Sequence, residues 1–138
     1  MAWWGFALLS AVAAAVTTVT AKMGMAGLPS NLATAIRTGV VLIFAWAIVV
    51  ARGEHQQMAS LTPRAYFWLV LSGLGTGISW LAYFRALQMG PVASVASVDK
   101  LSLVFTVVLA ALVLGEQITL RTACGAALVA AGTLLMVR

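Results

Sequence analysis

Apolar positions along this chain gather into five long runs, 3–23, 31–51, 65–88, 91–114 and 120–137, parted by short polar or Gly/Pro-containing breaks. Each run is long enough to cross a hydrocarbon layer, which takes about 17 residues or more as a helix. The pattern predicts an all-α integral membrane fold of five transmembrane helices, one domain over 1–138. The breaks carry helix punctuation: Pro29-Ser30-Asn31 supplies an N-cap for the second run, Thr62-Pro63 a cap and first-turn proline for the third, Gly90-Pro91 a stop and a restart, and Thr119 the start of the fifth. The only sizeable hydrophilic loop is 52–64.

Polar residues inside the runs are not scattered. At 100° per residue, Ser72, Thr76, Ser79 and Tyr83 share a narrow face of the third run, with Gly73, Gly77 and Trp80 beside it. Ser102 and Thr106 continue the face of Asp99 on the fourth. Lipid has no use for such positions, so these faces are expected to look inward. Trp80, Tyr83, Ser79 and Thr76 are expected to meet Ser102 and Thr106 across a central cavity suited to a small amphipathic solute. The bland alternative is helix packing, with each hydroxyl bonded to a carbonyl of its own helix.

The fourth run also holds Asp99 and Lys100, roughly 12 Å in from Pro91. A charge near the middle of a span costs on the order of 2.5–3.5 kcal/mol, so such groups normally face a bundle interior or a wet cavity. Followed up and down through successive runs, Lys22, Arg37, Arg85, Asp99 and Lys100 fall in one half of the membrane. Lys22 and Arg85 are near enough to run ends to snorkel; Arg37 and Lys100 are deeper. Neighbours on a helix point about 100° apart, so Asp99 is expected to pair with Arg85 or Arg37. Lys100 and the other arginine are then left for an anionic group such as a substrate carboxylate. Asp99 either exchanges a proton with the membrane gradient, coupling transport to it, or stays a fixed anion that only sets helix register.

Composition agrees with the pattern: 63% of the residues are hydrophobic and 8% charged, which no soluble domain of this length would show. The net charge of +5 would point to nucleic acid in a soluble chain, but the cations stand singly and half lie in or beside apolar runs, so nucleic acid is set aside. Cys124 is the sole cysteine, which excludes an internal disulfide, and His55 reads as a solvated loop residue; neither metal nor cofactor is expected. The N-terminal run lacks a basic leader and continues to Thr20, so it reads as a first span rather than a signal peptide. Trp3, Trp4 and Trp68 stand at run ends as interfacial anchors.

The order of runs, Lys22 closing the first, Arg37 early in the second, YFRAL at 83–87 before Gly90-Pro91, and LGEQITLRTACGAALVAAGTLL at 114–135 resemble one repeat of the EamA-type transporters of the drug/metabolite transporter superfamily. The resemblance covers the whole chain, and its most specific part is Leu114-Gly115-Glu116 before a Gly-rich last run. It implies a half-size member, one repeat where full-length members carry two, in a plasma membrane, the inner one in a bacterium. A proline that many relatives carry in the fourth span is absent here, and the first span has no acidic residue of the kind that couples protons in small multidrug resistance proteins.

Two function classes follow: a secondary transporter subunit for a small, anionic or amino-acid-like metabolite, or a non-transporting membrane subunit packed on a larger or paralogous partner. Buried charge favours the first. An enzyme is not expected, since no acid pair, Cys/His arrangement or phosphate loop is present. Five spans are an odd number, so a half-size chain recreates the inverted second repeat only with an inverted second copy. With Arg37 and Lys100 left out as intramembrane, Arg52, Arg64 and Arg121 face one side and Lys22, Arg85 and Arg138 the other, three against three, leaving the positive-inside rule almost nothing to act on. Dual insertion and an antiparallel homodimer are expected, with a fixed orientation beside a separate partner as the alternative.

Overall fold

The computed structural model describes residues 2–137, so Arg138, used above in the charge comparison, lies outside the described residues. Among the described residues six α-helices follow one another: α1 (Trp3–Gly24), α2 (Ser30–Ala51), α3 (Pro63–Met89), α4 (Val92–Asp99), α5 (Leu101–Leu114) and α6 (Leu120–Val137), with a short 3₁₀ stretch at Glu54–Ser60. Taken together, α4 and α5 make one crossing, Val92–Leu114, and five crossings are long and apolar enough to span a membrane. The expected all-α membrane architecture is therefore present. The chain divides into two compact units, Met1–Met23 with Met89–Arg138, and Gly24–Gln88.

Expected punctuation holds at two starts and fails at a third. The Thr62 hydroxyl accepts the Ala65 N–H at 3.2 Å and Pro63 opens α3. Thr119 does the same for Thr122 at 3.2 Å and opens α6. At α2, however, Ser30 is already helical and buried, the cap position belongs to Pro29, and no side chain caps it. The Ser30 carbonyl instead accepts the Thr34 hydroxyl at 2.9 Å.

In the first unit, α6 packs on both α4 and α5. Ala126 and Thr133, seven residues apart and so on one helix face, are its buried positions, and Ser97 is that of α4. Lys22 is more than a snorkelling side chain: its ammonium donates to the Gly90 carbonyl at 3.1 Å, beside the end of α3. In the second unit, Met25, Ala33, Thr34, Phe84 and Leu87 are buried, and the Gln88 amide donates to the Leu28 carbonyl at 2.5 Å, putting the end of α3 beside the start of α2. The Arg52–Glu54 ion pair (3.6 Å) and the Tyr66 hydroxyl on the Met58 carbonyl (3.4 Å) order the polar loop.

The fourth crossing departs from a single continuous helix. It breaks at Lys100, where two i→i−3 bonds, Lys100 N–H to the Ser97 carbonyl and Leu103 N–H to the Lys100 carbonyl (both 3.1 Å), tighten the chain. Neither proline nor glycine stands there. The Ser97 carbonyl, which a regular helix would offer to residue 101, also receives the Thr133 hydroxyl of α6 at 3.0 Å. Insertion of a side-chain donor into the ladder is one of the few physical causes of a helix break.

Candidate functional site

Charged and aromatic side chains inside the crossings form one cluster in each unit. In Gly24–Gln88, Arg37 of α2 lies against α3 with its guanidinium carbon 4.4 Å from the centre of the Phe84 ring and 5.5 Å from that of Trp80. The two rings are four residues apart and hence stacked on one face of α3. Tyr83 meets Phe84 edge-on, 6.0 Å between ring centres at 80°, which fixes the tilt of the Phe84 face. Arg85 turns elsewhere, donating to the Gln88 carboxamide oxygen at 3.3 Å.

Phe84 is the member of this cluster that sequence reasoning passed over, although it is only 2% exposed and closer to Arg37 than Trp80 is. The available signal was its i+4 relation to Trp80. Trp80 and Tyr83 are half-buried, whereas Thr76 and Ser79 are exposed. The Thr76 hydroxyl donates to the Ser72 carbonyl at 3.0 Å and that of Thr106 to the Ser102 carbonyl at 2.8 Å. Both follow the bland pattern of bonding within their own helix.

In the other unit the break exposes the second cluster. Asp99 ends α4, Lys100 follows it, and their charged groups are 3.5 Å apart. This corrects the expectation that neighbours in the chain could not serve each other. That expectation assumed a continuous helix, and the helix ends between them. The carboxylate expected to sit on an arginine has Lys100 as its ion-pair partner, so Lys100 is not an uncompensated cation either. Both side chains keep substantial exposure, 64% for Lys100 and 38% for Asp99, so the pair is not sealed between the helices of this chain.

Beneath this pair lies a polar seam that the stripes did not predict. The Ser97 hydroxyl donates to the Ala93 carbonyl at 2.7 Å and lies 3.0 Å from the Met136 sulfur. Ser94 donates to the Met136 carbonyl at 3.0 Å, and Thr133 to the carbonyls of Ser97 and Val129. Each of these hydroxyls has an acceptor, so the seam joins helices rather than offering sites to a solute.

Among known proteins, residues 1–138 match the model of a family described as the EamA-like transporter family. The chain is also similar to a Sinorhizobium protein named "Uncharacterized transporter in cobO 3'region", 49% identical over 134 residues that cover 97% of this chain and 95% of that one. No solved structure matches it.

Proposed function

This chain belongs to the EamA-like transporter family, and from that premise we propose that it is a secondary transporter of a small metabolite, working as an antiparallel pair of copies in a plasma membrane. The observation that carries the reading is the exposed Asp99–Lys100 pair at a break in a membrane crossing that holds neither proline nor glycine at that point. An interrupted helix supplies backbone groups and charges at depth, and secondary transporters place binding and coupling groups at such interruptions. In this reading Asp99 is the coupling group: taking up a proton releases Lys100, and giving it up restores the pair.

In this reading the five crossings serve as one domain, and the Trp80–Tyr83 face of α3 and the Ser102–Thr106 face of α5 are each taken to meet the solute. With Arg37 and Lys100 set aside as intramembrane, the balance of the remaining cations leaves both orientations open, so two inverted copies supply the two halves of the pathway. The test is uptake of a labelled metabolite panel into proteoliposomes holding this chain alone. Saturable uptake of at least one solute is expected. Silence across the panel, with folded protein in the vesicles, would favour a non-transporting subunit.

A further inference from the structure

Arg37 is held in a way that transport alone does not explain. It stands seven residues into α2, about 10 Å from its start, while Phe84 and Trp80 lie about 8 and 14 Å from the end of α3. Those two helix ends are neighbours, joined by Gln88 and Leu28. A snorkelling arginine would reach past Phe84 towards the interface. This one lies level with its own backbone, its carbon over Phe84 and Trp80. Stacking on aromatic faces stabilises the charge by about 0.5–2 kcal/mol, but satisfies none of the five in-plane N–H donors. Within the unit Gly24–Gln88 the described residues give this guanidinium no hydrogen bond and no ion pair.

The acidic residues are otherwise engaged. The chain has three: Glu54 pairs with Arg52, Asp99 pairs with Lys100, and Glu116 follows Gly115 outside the crossings. We infer that Arg37, laid on Phe84 and Trp80, is a receptor for a forked oxyanion, the carboxylate or phosphate of a small solute, which its guanidinium grips by two parallel N–H donors. The stack makes the fork rigid before the ligand arrives, so little side-chain freedom is lost on binding. This rests on the transporter reading and narrows its solute to one with such a group. Of the expected anion site, Lys100 with Arg37 or Arg85, it keeps Arg37 alone, and it turns Trp80 from a wall of the cavity into a support for the cation. An anionic lipid headgroup carries the same chemistry, and the test separates the two sources.

The chain has five tryptophans, so replacing Trp3, Trp4, Trp46 and Trp68 by Phe leaves Trp80 as the reporter beside Arg37. In phosphatidylcholine nanodiscs, benzoate or inorganic phosphate should change Trp80 emission saturably against a chloride background of equal ionic strength, and benzamide should not. Arg37→Gln should abolish the response. Arg37→Lys, which keeps the charge but loses the fork, should weaken apparent affinity at least about tenfold. The inference is overturned if neither oxyanion titrates the reporter protein, if benzamide matches benzoate, or if Arg37→Gln responds unchanged. A response only to phosphatidylglycerol in the nanodisc would also overturn it, making Arg37 a lipid anchor. The benzoate–benzamide comparison needs no change at Arg37, so it decides even if Arg37→Gln does not fold. Oxyanion titration by a protein silent in uptake would remove the transporter reading and leave the receptor standing.

Discussion

Thr133 donates its hydroxyl to the Ser97 carbonyl at 3.0 Å, three residues ahead of the break at Lys100, and thereby ties the interruption of the fourth crossing to the fifth. Both residues are buried, and the same hydroxyl also reaches the Val129 carbonyl of its own helix. Hydrogen bonds between helices in membranes are modest, about 0.6 kcal/mol on average and up to about 1.7. Thr133→Val keeps the shape and removes the donor, so it should lower stability by about 1 kcal/mol, whereas Thr133→Ser should stay near wild type. Thermal unfolding in detergent checks this. Equal midpoints for Val and Ser would mean that the bond does not hold the break.

Gly115 gives the most family-specific motif a structural meaning. It ends α5 at φ +70, and the Glu116 N–H folds back onto the Ala110 carbonyl at 3.3 Å. Leu114-Gly115-Glu116 is thus a helix stop that uses the backbone of the glutamate rather than its carboxylate. A Cβ at Gly115 would meet no atom within 4 Å, so the cost of Gly115→Ala is conformational alone, about 1–2 kcal/mol. Glu116→Gln should be near neutral. A Gly115→Ala protein as stable as wild type in the same melt would show that the turn is not needed.

The five crossings were legible because apolar run length is a strong signal, and the cap at Thr62 and the start near Thr119 because side-chain chemistry there is local. Ser30 misled because a buried serine already inside the helix looks the same in sequence as a capping one. The break at Lys100 could not be read from 91–114, since its hydroxyl donor stands on α6, 36 residues from Ser97. The Asp99–Lys100 pair was missed for the same reason, as a regular helix was assumed between them. Arg37 and Trp80 were singled out from depth. Their mutual contact, with Phe84 between them and the interface, needed coordinates.

Orientation is open to a direct check in cells. Gln56 is exposed in the ordered turn Glu54–Ser60, and Cys124, the one native thiol, can be replaced by Ser. With Gln56→Cys in that background, an impermeant thiol reagent should label a fraction of the protein from each side of the membrane. Labelling from one side alone would rule out dual insertion and point to a separate partner.

The coupling role of Asp99 is the centre of the account, and Asp99→Asn tests it while keeping the side chain's shape. In proteoliposomes, wild-type uptake should rise with an imposed proton gradient. The variant should still bind solute but lose that dependence, because Asn neither takes up a proton nor pairs with Lys100. Undiminished uptake with the same response to the gradient would contradict the account and leave Asp99 as a fixed counter-ion to Lys100.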